Sequence, residues 1–212
     1  MHSPDFLRTI IDMARGVGAL VVCDEVAVGF GRTGTMFAME QVGRRPDIIC
    51  LAKGISGGYL PLAATVVSDT IYDAFRGPYT DYRTLFHGHT YTGNALACAS
   101  ALASLDVFER EQTLAGLPPK IEALSAALAS LPTEHIAETR QKGMMAAAVL
   151  KHSYGPETRV GHRVSMTARS HGVIVRPLGD SIILMPPLSM TVPEIETLGF
   201  AVGAAIAEVL NR

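Results

Sequence analysis

The chain has 212 residues, 48% of them apolar and 18% charged, with a formal net charge of −2. That balance describes a packed globular protein of one domain or two small ones, not a disordered chain. Near-neutrality without a basic tail or stripe argues against a nucleic-acid or anionic-membrane surface.

The pattern predicts an α/β chain. Ser3-Pro4 is a helix start, a capping hydroxyl followed by a residue whose missing N–H is no loss there. Phe6, Leu7, Ile10, Ile11 and Ala14 recur at helical spacing until Gly16 and Gly18. A strand follows over 20–23, then a glycine-rich loop over 29–34, a helix-like piece over 37–42, a strand over 48–51 and a third strand candidate over 62–67. These strands are nearly continuous apolar runs, which predicts a sheet covered by helices on both faces. The order helix, strand, helix, strand predicts a doubly wound, mainly parallel layer whose ligands lie beyond the carboxyl ends of the strands.

A long Ala/Leu-rich helix is expected from Ala95 to about Glu109. Beyond Pro118-Pro119, taken as the boundary region of a second, smaller α+β subdomain, Ile121, Leu124, Ala127 and Leu128 mark another helix. Strand candidates at 145–149, 173–175 and 182–184 and helices over 160–171 and 193–210 complete it. Thr191 and Glu194 have capping-box spacing. The domain reading is therefore 1–110 and 111–212.

Chemistry concentrates at two strand ends. The run Leu20-Val21-Val22-Cys23 ends in Asp24-Glu25, and Ile48-Ile49-Cys50-Leu51 leads through Ala52 to Lys53 and the loop Gly54-Ile55-Ser56-Gly57-Gly58. A lysine delivered by a strand into a glycine-rich turn can be partly desolvated and nucleophilic. An acid and an amine leaving one sheet edge together suit a pyridine aldehyde.

Gly29-Phe30-Gly31-Arg32-Thr33-Gly34 matches G-x-G-x-x-G, but Asp24 to Val28 separate it from the strand, and two acidic residues there would repel a diphosphate. His87-Gly88-His89 lacks a nearby third metal ligand. Thr90-Tyr91-Thr92-Gly93 before a helix suits either a phosphate or an ordinary N-cap. Arg176 is either a carboxylate fork or a surface arginine. Cys23, Cys50 and Cys98 sit in apolar contexts without pairing and read as buried, reduced thiols of a cytosolic protein. The N-terminal residues lack the basic and apolar regions of a signal peptide, and no run of roughly 18 apolar residues occurs.

Taken together, Val22-Cys23-Asp24-Glu25-Val26, the Gly29 to Gly34 loop, Pro46-Asp47-Ile48, Ala52-Lys53-Gly54 and His87 to Asn94 resemble the class III, pyridoxal-phosphate-dependent aminotransferases of fold type I. The resemblance implies that Lys53 holds pyridoxal phosphate covalently and then serves as general acid and base. It also implies that Asp24 keeps the ring nitrogen protonated and that Val26 packs on one ring face. Thr90 would reach a cofactor phosphate, that of the neighbouring subunit of a homodimer, and Arg176 would bind a substrate carboxylate. The His87 to Asn94 segment, Arg176 to Asp180 and Met185-Pro186-Pro187-Leu188 are most similar to biotin-pathway members of the class. They imply 8-amino-7-oxononanoate as amino acceptor, 7,8-diaminononanoate as product, and S-adenosylmethionine or lysine as donor.

The alternatives are another class III enzyme acting on ω-amino acids or amines, and a truncated, inactive remnant. Family members are roughly twice this long, so the chain is expected to correspond to the C-terminal half of the fold, with an open strand edge and uncovered apolar surface.

Overall fold

The computed structural model describes residues 1–151 and 155–211. The chain divides into two compact units, His2–Gln112 and Thr113–Arg212.

In the first unit, helix α1 (Pro4–Gly16) begins as its sequence dictates, with the Phe6 N–H donating to Ser3 Oγ at 3.2 Å. Strand β1 (Val22–Asp24) is followed by the four-residue helix α2 (Met39–Val42) and strand β2 (Ile48–Leu51). β1 and β2 pair in parallel, with Asp24 opposite Cys50. Strand β3 (Ala64–Val67) pairs with β2 in the antiparallel sense, so the three-stranded sheet is mixed and the expectation of a mainly parallel layer is corrected for this chain. Residues 62 and 63, expected in the third strand, precede it. Helices α3 (Asp69–Ala74) and α4 (Ala95–Arg110) complete the unit, α4 capped by the Asn94 side chain, which accepts from the Leu96 and Ala97 N–H groups. The short α3 has no counterpart in the sequence reading.

Side-chain alternation along a strand decides which face is covered. Val21 and Cys23 pack with Leu7, Ile11 and Ala14 of α1 and with Met39 and Val42 of α2. Val22 and Asp24 take the opposite direction, and Val22 is 58% exposed. Val66 and Val67 of β3 are exposed as well. The expected burial on both faces is thus corrected: continuous apolar strands report a two-sided sheet, but among the described residues the Val22 side of β1 is left exposed. Cys23 and Cys50 are half-buried and Cys98 is exposed, so the expectation of three buried thiols fails.

The second unit carries its own core. Helix α5 (Leu117–Ala129) takes Pro118 and Pro119 into its first turn, where N–H groups have no intrahelical acceptor, instead of starting beyond them. Four strands follow, β4 (Ile136–Lys142), β5 (Met145–Leu150), β6 (Arg176–Leu178) and β7 (Ser181–Leu184), forming an antiparallel sheet in the order β4, β5, β7, β6. β6 starts at Arg176, not over 173–175, and is an edge strand, where Pro177 removes no central ladder bond. Helix α6 (Val160–Ser170) lies between β5 and β6 in sequence, and helix α7 (Val192–Leu210) ends the unit.

β5 and β7 alternate in burial, turning Ala146, Ala148, Leu150, Ile182 and Leu184 inward against Leu124, Leu128, Val164, Ile195, Val202 and Ile206 of the helices. α5 and α7 cross closely: a Cβ on Gly199 would stand 2.5 Å from that of Ala127. α7 starts with the expected capping box, the Thr191 N–H and Oγ1 both donating to Glu194 Oε2 at 2.7 Å. Those bonds hold the Glu194 carboxyl below the usual carboxylate range. Among the described residues, no helix is long and apolar enough to cross a membrane.

Candidate active site

Asp24 is the last residue of β1 and Lys53 follows β2 by two positions, so both stand at the carboxyl ends of adjacent parallel strands. Neighbouring strands lie about 4.8 Å apart, and Asp24 is in register with Cys50, so Lys53 leaves its strand three residues beyond the position opposite the carboxylate. Both side chains belong to exposed residues. Asp24 Oδ1 accepts the Val26 N–H at 2.9 Å, which orients the carboxylate and turns the chain away from the strand. Val26 is half-buried directly beyond it.

The next residue does different work. Glu25 is 1% exposed. Its N–H donates to the Cys50 carbonyl at 2.9 Å, extending the parallel ladder by one bond, while its carboxylate accepts from the Ala38 N–H at 3.0 Å and the Met39 N–H at 2.8 Å. Glu25 therefore ties both ends of the loop 26–38 to the sheet edge. A buried carboxylate held by two backbone donors is a strong, charge-assisted anchor. The sequence shows only an acid beside an acid at a strand end; the capacity of the α2 start to receive it was the missing signal.

The glycine-rich loop between these anchors folds on itself, with the Gly31 N–H donating to the Thr35 carbonyl at 3.1 Å and the Gly29 N–H to the Glu25 carbonyl at 2.9 Å. It leads into a four-residue helix that starts at Met39, five residues past Gly34. A dinucleotide fingerprint would open directly into a helix, so this loop has another role.

Lys53 opens a 3-10 turn, Lys53–Ser56, with a left-handed backbone at φ +48°. The turn is fixed from several directions. Ser56 is buried and donates its hydroxyl to the Leu60 carbonyl at 2.6 Å. From α4, Ser100 Oγ donates to the Ser56 carbonyl at 3.1 Å and Ser104 Oγ to the Gly54 carbonyl at 3.4 Å. The turn is thus a rigid platform below an exposed amine.

Thr90 is exposed in the turn leading to α4. There Thr92 Oγ1 accepts the His89 N–H and His89 Nδ1 accepts the Tyr91 N–H, both at 3.1 Å. His87 and His89 are both exposed. Asn94, not a threonine, supplies the cap of α4. Arg176 is exposed at the start of β6, opposite Ile183, in the other unit. The fold therefore places Asp24, Val26, Lys53 and Thr90 in one unit, joins the first three through a single sheet edge, and carries Arg176 on the second unit.

The family model for class III aminotransferases matches residues 1–204. The adenosylmethionine-8-amino-7-oxononanoate aminotransferase of Nitratidesulfovibrio vulgaris is 57% identical over 214 aligned positions, covering 98% of this chain and 40% of that protein. The protein of the same name from Geobacter sulfurreducens is 50% identical over 91% of this chain and 44% of its own length. The crystal structure of the Methanocaldococcus jannaschii adenosylmethionine-8-amino-7-oxononanoate aminotransferase is similar with a TM-score of 0.89 and 40% identity, covering 96% of this chain and 49% of that one. An (S)-enantioselective omega-transaminase from Thermomicrobium roseum gives a TM-score of 0.85 at 36% identity, covering 95% and 46%. The chain spans about half the length of these relatives. With a model match over nearly its whole length, the chain belongs to the class III aminotransferase family.

Proposed function

We propose that this chain carries the cofactor-holding lysine and the ring-binding carboxylate of a cytoplasmic, homodimeric aminotransferase that passes an amino group to 8-amino-7-oxononanoate, giving 7,8-diaminononanoate. The observation that carries the reading is the delivery of Asp24 and Lys53 by paired parallel strands to one sheet edge.

The donor set suits pyridoxal phosphate. Its flat ring has a basic nitrogen that a carboxylate can hold protonated, and its aldehyde condenses with a primary amine; Asp24 and Lys53 offer those two partners on adjoining strand ends. When bound, the cofactor supplies an electron sink for the carbanion formed at the substrate's amino-bearing carbon. The protein's residues do the rest. Asp24, steadied by the Val26 N–H, would hold a proton on the ring nitrogen. Val26, half-buried beside Asp24, would pack against one face of the ring. Lys53 would hold the cofactor through its amine, and its Nζ would serve as general base and then general acid for the proton on the substrate's amino-bearing carbon. The Thr90 hydroxyl is assigned to a phosphate oxygen, that of the neighbouring subunit. Arg176 is assigned to the acceptor's carboxylate, for which a planar two-point donor is suited.

The relatives at 57% and 50% identity are named for the oxononanoate reaction, which supports that acceptor. S-adenosylmethionine or lysine serves as amino donor. The test is uptake of pyridoxal phosphate by the purified chain. A shifted cofactor absorption band and, after borohydride reduction, a mass increase on the peptide containing Lys53 are expected. Lys53→Ala should lose both, and Asp24→Asn should weaken uptake. An unchanged band in Lys53→Ala refutes the assignment. Substrate profiling of amino transfer to 8-amino-7-oxononanoate against simple ω-amino acids tests the acceptor.

A further inference from the structure

Two stretches that are 24 residues apart meet directly beside Lys53. Phe30, in the loop after Asp24, is 6% exposed and lies in the left-handed region at φ +54°. Its side chain fills the space over Gly54: a Cβ there would stand 2.7 Å from Phe30 Cβ and 3.0 Å from its Cγ and Cδ2. Phe37 closes the other side of the ring edge-on, with centroids 5.7 Å apart. Phe30 cannot retreat easily, because the buried Glu25 carboxylate fixes the far end of its loop through the Ala38 and Met39 N–H groups. On the other side, Ser104 and Ser100 hold the Gly54 and Ser56 carbonyls. The peptide bearing Lys53 is therefore clamped between an aromatic ring and a helix.

We propose that Phe30 is a positioning residue for Lys53, a latch whose contact with Gly54 makes the Asp24 loop and the Lys53 turn one rigid piece. The role rests on the reading of Lys53 as the cofactor-holding amine. A nucleophilic amine displaced by an ångström loses much of its reactivity, and a lysine has four flexible side-chain bonds, so a fixed backbone is the part of its aim that the fold can supply. Phe30 touches neither substrate nor cofactor in this reading; it acts through Gly54.

The contact makes the two substitutions interdependent. Gly54→Ala should push the Lys53 turn out of place because Phe30 Cβ is in the way. Phe30→Gly removes that obstacle along with the ring, and glycine accepts the left-handed backbone. Two readouts follow it in the chain as it exists: amide hydrogen exchange of residues 52–57, and the rate and pH profile of borohydride-trapped pyridoxal phosphate on Lys53. Each single substitution should raise exchange of residues 52–57 about tenfold or more and slow trapping by a similar factor, with α1 exchange unchanged. Gly54→Ala should add nothing further in the Phe30→Gly background, the non-additivity expected of residues in contact. Phe30→Leu, which keeps apolar bulk and is the milder variant should Phe30→Gly unfold the unit, should return most of the wild-type trapping rate.

Effects that multiply as for independent sites overturn the latch. So does unchanged exchange of residues 52–57 in Phe30→Gly, even where Lys53 still takes up the cofactor. Exchange that responds to Phe30→Gly in a chain that never traps cofactor at Lys53 overturns instead the functional reading, and the role of Phe30 with it.

Discussion

Replacing the buried Glu25 probes the anchor on which the whole Asp24 loop depends. Its carboxylate accepts two backbone N–H groups at 2.8 and 3.0 Å with only 1% of the residue exposed. A hydrogen bond to a charged group contributes about 1.5 to 3 kcal/mol, so two give a gross figure of about 3 to 6. The freed donors belong to the start of a four-residue helix that can turn toward water, which brings the expected loss for Glu25→Ala to the lower end, about 3 kcal/mol. Glu25→Gln keeps one acceptor oxygen but sets an NH2 group against the second backbone N–H, and about 2 kcal/mol is expected. In urea unfolding followed by a probe in residues 2–112, the alanine variant should lower the midpoint by about 1 to 3 M. Exchange at Ala38 and Met39 should rise before global unfolding. A glutamine variant within about 0.5 kcal/mol of wild type, with protected Ala38 and Met39, would refute the claim that the carboxylate clamps this loop.

Other expectations concern separate parts of the chain. Gly199→Ala gains about 1 kcal/mol of helix propensity but forces α5 and α7 apart at the 2.5 Å approach to Ala127; a net loss of about 1 to 2 kcal/mol in thermal or urea unfolding of residues 113–212 is expected, and a gain would refute the close crossing. Asn94→Ala removes the acceptor of the Leu96 and Ala97 N–H groups and should cost about 1 kcal/mol, visible as faster exchange in the first turn of α4. The Glu194 carboxyl is held low by the backbone and hydroxyl of Thr191, so its stabilisation of α7 is present above the ordinary carboxylate range and lost as pH falls through the lowered value; Glu194→Gln should flatten that acid limb of the stability profile. Burial, and then the Glu25 carboxylate and Cys50, push the Cys23 thiol up, whereas Cys98 is exposed. Iodoacetamide at pH 8 should therefore label Cys98 well before Cys23, and the reverse order would contradict the packing of Cys23 on α1 and α2.

The legible parts of this chain were those where one short stretch contains its own reason. Ser3-Pro4 with apolar residues at helical spacing specifies α1, four apolar residues specify β2, and Thr191 with Glu194 specifies the start of α7. Asp24 and Lys53 could be placed at strand ends because each closes such a run. β4 was invisible because Ile136–Lys142 is mostly exposed and polar, as an edge strand can be when β5 supplies the pairing. The antiparallel turn of β3 and the anchoring role of Glu25 depend on partners distant in sequence, which no local pattern encodes. Phe30 is hidden for a further reason. Its contact with Gly54 requires a left-handed backbone at a bulky residue, a conformation that propensity argues against.

That same conformation at Lys53 argues for a site selected against local stability. A side chain at φ +48° carries a Cβ strain of about 1 to 2 kcal/mol that glycine escapes. Glycine gives back about 0.4 to 1 kcal/mol through the greater freedom of its unfolded chain. Lys53→Gly should therefore be more stable than Lys53→Ala by about 0.5 to 1 kcal/mol, reversing the usual order of the two residues, because alanine keeps the Cβ and loses only the amine. Both variants abolish the same chemistry, so the comparison isolates the backbone from the function. Urea midpoints of the two proteins measure it, and an alanine variant more stable than the glycine one would show that the turn imposes no strain. Strain at the very residue that bears the amine fixes the direction in which its stem leaves the sheet, which Ser100 and Ser104 on one side and Phe30 on the other then hold in place.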